Sequence, residues 1–246
     1  MSVSSLLAAA TLRIASLDLC ADEYALALAP QGNVVSVSHL GANPAEHALS
    51  DRARGIHRNN GSLSDIARLK PDLVLVSRPL SSGGARLARR LGIRIHALSN
   101  TPTPDAVRSQ VLKVGRLVGG TRAAQRWVQR YDRLAAEPPE TIRALYLSHS
   151  GNNVGALNSA WIAMAGIEPL EIAPGRGHVE QIVRARPRHI LESRYRADNW
   201  HRGGDWQNHP LVRTLDVPRY SIDGRPFSCG RIAMLGAVEA LKAQRR

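Results

Sequence analysis

Polar and aromatic side chains follow several short apolar runs of this sequence, at the points where strands would end. Ligands of open parallel sheets bind outside the carboxyl ends of the strands, so such positions are candidates for a binding site. An Asp or an Arg there could hold polar groups of a ligand, and an aromatic ring could pack against its apolar part. The candidates are Asp18, Leu19, Cys20, His39, Arg78, His149, Tyr195, Trp200, Asp223, Arg225 and Phe227.

Motifs for catalysis are missing from the sequence. There is no GxSxG nucleophile elbow, no GxxxxGK[ST] phosphate loop and no GxGxxG after the first predicted strand. Ser16, Asp18 and His149 contain the residue types of a catalytic triad, but nothing in their spacing asks for one. The histidines form no HxxxH pair, and Cys20 and Cys229 belong to no metal-binding pattern. We therefore expect no catalytic residues, no metal and no cofactor.

The first hundred residues alternate short apolar strands with helices. The pattern predicts strands at 13–17, 33–38, 72–76 and 93–98, and helices at 21–29, 62–69 and 85–91. Residues 18–20 are predicted as a loop, and residues 39–61 mainly as loop with a short helix at 45–49. Strands that are joined by helices imply right-handed crossovers and a parallel sheet covered on both faces.

A helical segment from Thr103 to Pro139 separates this pattern from a second one. Thr103 is a good N-cap, Pro104 suits the first helical turn, and Gly119-Gly120 should end the first helix. Thr121 can then begin a second helix, which Pro138-Pro139 stops. At about 1.5 Å per residue, residues 122–136 would span roughly 22 Å, enough to join two lobes.

After this segment the alternation of strands and helices begins again. Strands are predicted at 142–147, 189–192 and 219–222, and helices at 156–165, 179–185, 209–215 and 232–243. The stretch IARLKPDLVLVS at 66–77 matches IVRARPRHILES at 182–193 at a constant offset of 116 residues. We therefore predict an α/β fold of two Rossmann-like lobes, 1–102 and 140–246, joined by a single interlobe helix within 103–139, with a ligand cleft between the lobes.

The composition indicates an ordinary globular protein with excess positive charge. The net charge is +13, and nearly all of the basic residues are arginines scattered through every segment. Clustered basic helices and zinc-finger spacings are absent, so we expect no nucleic acid as a partner. The charge is typical of a solvated basic surface, or of a protein that binds an anionic ligand or a negatively charged surface.

The two cysteines lie 209 residues apart, Cys20 after the first predicted strand and Cys229 after the last. A disulfide needs Cα atoms within about 7 Å, which opposite walls of a cleft seldom meet, so we expect two free thiols. The apolar stretch at 4–12 lacks the preceding basic residues of a secretory signal. Either the protein is cytoplasmic, or the sequence starts inside a signal peptide.

The motifs together resemble the periplasmic binding proteins of ABC importers for iron siderophores and vitamin B12. The resemblance rests on SLDLCADEYALALAP at 16–30, VVSVSHL at 34–40, SLSDIARLKPDLVLVS at 62–77 and LARRLGIRIHALS at 87–99. The second lobe contributes SAWIAMAGIEPLE at 159–171, VEQIVRARPRHIL at 179–191 and IDGRPFSCG at 222–230.

This resemblance implies a monomeric, non-catalytic receptor in the periplasm. It would bind a metal chelate, cobalamin-like or a ferric siderophore, between the lobes and deliver it to an ABC transporter permease at the membrane. Family members dock through an acidic residue on each lobe, which here corresponds to Glu180 and, beside Ser64, to Asp65. The alternative is a cytoplasmic enzyme or regulator that retains the same fold.

Overall fold

Five parallel strands build the sheet of the first lobe in this computed structural model, which describes residues 11–136, 139–148, 154–170, 178–195 and 209–245. Their spatial order is β3-β2-β1-β4-β5. The strands are β1 (Ile14–Ser16), β2 (Val34–Ser38), β3 (His57–Asn59), β4 (Leu73–Val76) and β5 (Arg94–Ala97). The four predicted strands of this lobe are thereby confirmed, and β3 is an addition at the edge of the sheet.

Three helices connect these strands: α1 (Leu19–Leu28), α2 (Leu63–Ile66) and α3 (Ser82–Arg90). The prediction of a loop at 18–20 is wrong, because Asp18 caps α1 by accepting a hydrogen bond from the Ala21 N–H. The predicted helix at 45–49 is also wrong. Asn43 accepts a hydrogen bond from the Ala45 N–H in a turn there, and the helical piece is a 3-10 turn at Ser50–Ala53.

The predicted helical bridge consists of α4 (Pro104–Leu117) and α5 (Thr121–Ala136). Thr103 caps α4 and Pro104 occupies its first turn, as the sequence predicts. At Gly120, between the two helices, a Cβ atom would overlap the backbone carbonyl of Leu28 at the end of α1. The glycine therefore lets the start of α5 lie directly against the first lobe.

The second lobe has a sheet of four parallel strands with helices around it. The strands are β6 (Ile142–Ser148), β7 (Ile167–Leu170), β8 (Ile190–Arg194) and β9 (Arg219–Asp223), in the order β7-β6-β8-β9. The helices are α6 (Ala156–Ala163), α7 (His178–Ala185), α8 (Pro210–Arg213) and α9 (Met234–Ala243). Strand β7 is the one that the sequence pattern missed.

The internal repeat of the sequence corresponds to a repeat of structure. Without β3, the first sheet has the order β2-β1-β4-β5, which the second sheet reproduces as β7-β6-β8-β9. Lys70 and Arg186, which are 116 residues apart, both adopt positive φ, at 46° and 42°, before the proline that precedes β4 and β8. The division into segments 1–102, 103–139 and 140–246 itself stays a prediction.

A continuous apolar core runs through both lobes and the bridge. One cluster of buried side chains includes Ile14 and Tyr24 from the first lobe, Trp127 and Tyr131 from α5, and Trp161 from the second lobe. Trp161 is completely buried and meets the rings of Trp127 and Tyr131 edge to face. Both lobes therefore pack against the side of the same interlobe helix, α5.

Two further contacts join α5 to the second lobe. The indole N–H of Trp127 donates to the backbone carbonyl of Ile232 at 3.0 Å, and Arg130 forms an ion pair with Glu239 of α9. In the part of the chain that the structure describes, no helix combines the length and the apolar character needed to cross a membrane.

Candidate ligand-binding cleft

The carboxyl ends of strands from both lobes meet at one place. From the first lobe, the connection after β2 brings Pro44 and Glu46 to the second lobe. The Tyr195 hydroxyl, directly after β8, donates to Glu46 Oε2 at 2.6 Å, and Arg225 Nη1, after β9, donates to the Pro44 carbonyl at 2.9 Å. The ends of β8 and β9 thus lie against the connection that follows β2, at the edge of the sheets where ligands of parallel folds bind.

The wall from the first lobe is organised by Asp18. Its Oδ1 caps α1, and its Oδ2 accepts a hydrogen bond of 2.7 Å from the Ser77 N–H, which joins the ends of β1 and β4. Asp18 and Arg78 line the same open cavity of about 530 Å³, together with residues at the starts of α2 and α3. Arg78 is exposed and makes no ion pair with any residue that the structure describes.

The wall from the second lobe carries Tyr195, Asp223, Arg225 and Phe227. The Arg225 guanidinium donates to both carboxylate oxygens of Asp223, the closest approach being 2.7 Å, and the pair is only about one-third exposed. This pairing raises the pKa of Arg225. Phe227 stacks on Tyr146 with ring centroids 6.1 Å apart. Arg225 is therefore engaged within the protein, whereas the Arg78 side chain is available to solvent.

Cys20 and Cys229 form a disulfide between the two walls, with Cα atoms 5.5 Å apart. The expectation of two free thiols is wrong. It assumed that the cysteines lie on separated walls, whereas Cys20 lies in the first turn of α1, where the lobes are in contact through the common core. The bond covalently joins the first lobe, two residues after Asp18, to the second lobe, two residues after Phe227.

A buried glutamate lies one turn after Cys20 at the same junction of the lobes. Glu23 is 2% exposed, and its carboxylate accepts a hydrogen bond of 3.4 Å from the Ala233 N–H of the second lobe. Burial raises the pKa of Glu23 to about 8, against the smaller opposing effects of that hydrogen bond and of Arg231. The same burial raises the pKa of the neighbouring Tyr24 hydroxyl.

A second buried carboxylate fixes the start of the connection after β2. Asp22 accepts hydrogen bonds from the hydroxyls of Ser16 and Ser38 and from the Ser38 N–H at 3.0 Å. Burial raises the pKa of Asp22 to about 6, although these hydrogen bonds oppose the rise. The burial of Asp22 could not be predicted from the sequence, because an acidic residue in the first turn of a helix is usually exposed.

The remaining predicted site residues lie in different places. His39 and Leu19 flank the first-lobe wall, the side chain of His39 being exposed, whereas His149 and Trp200 lie outside the described residues. Glu180 is exposed in the first turn of α7. Asp65 in α2 is half-buried and accepts a hydrogen bond of 2.9 Å from the Asn60 N–H. Among the described residues, no three His, Cys, Asp or Glu side chains are grouped to hold a metal ion.

A model of the periplasmic binding protein family matches residues 14–144, more than half of the chain. The chain belongs to this family. The match covers the first lobe, the bridge and the start of the second sheet, and it confirms the resemblance that the motifs indicate. No curated protein matches the chain.

Solved structures of similar fold extend the likeness over both lobes. The periplasmic vitamin B12 binding protein BtuF of Vibrio cholerae is 23% identical, with a TM-score of 0.58 over 94% of this chain and 95% of that one. The periplasmic heme-binding protein HutB of Vibrio cholerae is 15% identical, with a TM-score of 0.69 over 96% and 99%. A periplasmic heme-binding protein of Pseudomonas aeruginosa is 16% identical, with a TM-score of 0.63 over 95% and 92%. These neighbours confirm the two-lobed α/β fold.

The buried Glu23 generates a prediction about stability and pH. Its pKa is about 8 in the folded chain and near 4.5 when unfolded, so between these values only the folded chain keeps the proton. Raising the pH through this window therefore favours unfolding. We expect the unfolding free energy of the wild type to fall relative to that of Glu23→Gln, by up to about 1.4 kcal/mol per pH unit.

Urea unfolding of both proteins at pH 5, 6, 7 and 8, with the disulfide intact, measures this difference. Glu46→Gln is a matched control, since the Glu46 side chain is partly exposed rather than buried. Parallel pH profiles for wild type and Glu23→Gln would contradict the assignment of a buried, protonated Glu23.

Proposed function

We propose that this protein is the substrate-binding component of an ABC importer. It binds a metal chelate, of the cobalamin or ferric-siderophore class, between its lobes and delivers it as a monomer to a membrane permease. The observation that carries the proposal is the contact between the connection after β2 and the ends of β8 and β9, through the pairs Tyr195–Glu46 and Arg225–Pro44. Family membership and structural neighbours that bind vitamin B12 or heme support it.

The ligand would be held by groups from both walls of this cleft. From the first lobe we propose Asp18, Leu19, Cys20, His39 and Arg78, and from the second lobe His149, Tyr195, Trp200, Asp223, Arg225 and Phe227. Arg78 is the group that suits an anionic ligand, because its guanidinium is exposed and can make bidentate contacts to a carboxylate or phosphate. The ion pair between Asp223 and Arg225 fixes the orientation of both side chains on the second wall.

A periplasmic location follows from the same proposal. The Cys20–Cys229 disulfide supports it, since disulfides persist in oxidising compartments such as the periplasm and are rare in the cytosol. The bond weighs against the alternative of a cytoplasmic enzyme or regulator. No catalytic role is proposed for any residue of the cleft.

Calorimetric titration with cyanocobalamin, a ferric hydroxamate siderophore and hemin tests the binding proposal. We expect at least one of these chelates to bind, and Arg78→Ala to weaken that binding about tenfold and reduce its salt dependence, because a charge-assisted hydrogen bond is lost. Arg78→Lys should retain part of the effect, and Arg89→Ala, an exposed arginine near the other end of α3, should retain all of it. Binding by none of the three, or equal affinity for Arg78→Ala, would overturn this ligand assignment.

We propose that Glu180 provides the main charged contact to the permease. It is exposed at the start of α7, whereas the Asp65 carboxylate is half-buried and serves the backbone of its own loop. A charge pair at an interface governs encounter and register more than the fold of either partner.

Uptake by cells that carry Glu180→Gln should therefore slow severalfold, while ligand affinity and folding stability change little. The loss of a favourable helix-dipole interaction costs stability only about 0.3–1 kcal/mol. Asp65→Asn should add a smaller effect, and Glu168→Gln, another exposed carboxylate of the second lobe, serves as the control. Wild-type uptake in the double variant Glu180→Gln, Asp65→Asn would show that the protein does not dock in this way.

A further inference from the structure

The connection between β2 and the 3-10 turn at Ser50–Ala53 is hydrogen-bonded to the first lobe at both ends. We call residues 39–49 the strap. At its start, Ser38 is held by Asp22, and the Gly41 N–H donates to the Ser38 hydroxyl at 3.2 Å. A Cβ atom on Gly41 would collide with the Asp22 carboxylate, so this end lies directly on α1. Beyond the other end, Arg52 donates to the Leu26 carbonyl at 3.1 Å.

The middle of the strap contacts the second lobe through polar groups. Pro44 accepts a hydrogen bond from Arg225, and Glu46 accepts one from Tyr195. His47, within the strap, is 2% exposed. Burial lowers its pKa to about 4, the Gly41 backbone opposes this, and Arg225 lowers it slightly further, so the imidazole is neutral at physiological pH.

Apolar packing between the strap and the second lobe is loose. Ala48 and Leu49 line a cavity of about 300 Å³, whose other walls come from β9, the following 3-10 turn and α9. A contact that leaves such a space gains little from dispersion, so the strap is held to the second lobe chiefly by its hydrogen bonds. Breaking them leaves the hydrogen-bonded ends of the strap intact.

The lobes themselves are held together by means that do not involve the strap. The Cys20–Cys229 bond, the common apolar core and the Trp127–Ile232 hydrogen bond all lie outside it. Separating the lobes would break a covalent bond and expose buried aromatic rings, whereas lifting the strap breaks polar contacts such as Tyr195–Glu46 and Arg225–Pro44 and a loose apolar contact. Opening of the cleft is therefore much less costly through the strap.

We propose that the strap is a gate, which leaves the second lobe to open one end of the cleft while the two lobes stay fixed. Tyr195 and Arg225 of the second lobe then hold the gate closed through their hydrogen bonds to Glu46 and Pro44. That a chelate passes this gate rests on the proposed function, but the motion itself is a property of the ligand-free protein.

Hydrogen exchange of the ligand-free protein tests the motion. The amides of Glu46 and His47 both donate to the Asn43 carbonyl, at 3.0 and 2.9 Å, and report on the strap. Tyr195→Phe removes the hydroxyl that Glu46 binds, so these amides should exchange about tenfold faster, as expected for a lost hydrogen bond to a charged group. Glu46→Gln keeps an acceptor for Tyr195 and should give an intermediate rate.

The amides of α5 and β4 provide the internal control and should be unchanged in both variants. Unchanged exchange at Glu46 and His47 in Tyr195→Phe would overturn the proposal, as would a parallel rise in α5, which would indicate that the lobes move instead. Stopped-flow binding of cyanocobalamin adds a separate result, since an opened gate should raise the association rate of that probe in Tyr195→Phe. Because exchange needs no ligand, failure to bind cyanocobalamin would count against the proposed function and not against the gate.

Discussion

The union of the two lobes around α5 is the constraint on which the rest of this structure depends. Trp161 of the second lobe is buried between Trp127 and Tyr131 of the bridge, in a core that continues to β1 and α1 of the first lobe. The disulfide adds a covalent link beside this core. Burial of aromatic rings is among the largest favourable contributions to stability, so relative movement of the lobes would be costly.

Fixed lobes have a consequence for binding. The walls of the cleft do not have to be brought together by the ligand, so little of the binding free energy is spent on ordering the protein. The remaining freedom lies in the strap, whose contacts to Tyr195 and Arg225 are polar. Polar groups at this position can release and re-form at low cost because water replaces the lost partner. A rigid cleft with a small movable gate would suit the binding and release of a ligand that we propose.

Most of the fold could be predicted from the sequence, since apolar strands such as 72–76 and capped helices such as α4 carry their signals locally. Strand β3 could not be predicted because His57–Asn59 is a short, polar strand at the edge of its sheet. Strand β7 could not be predicted because it contains a proline, which edge strands tolerate. The disulfide joins residues 209 positions apart, so only the packing of the lobes brings them together. The strap was missed for the same reason, because Glu46 acquires its partner from the other lobe.

The most direct test of the fixed arrangement of the lobes is a distance between them in solution. Spin labels on Ser64→Cys in α2 and Leu211→Cys in α8 would report it by double electron–electron resonance, since both positions are exposed and the native cysteines are bonded to each other. A single narrow distance distribution, unchanged on addition of cyanocobalamin, is the expected result. A broad or two-peaked distribution in the oxidised protein would contradict the account.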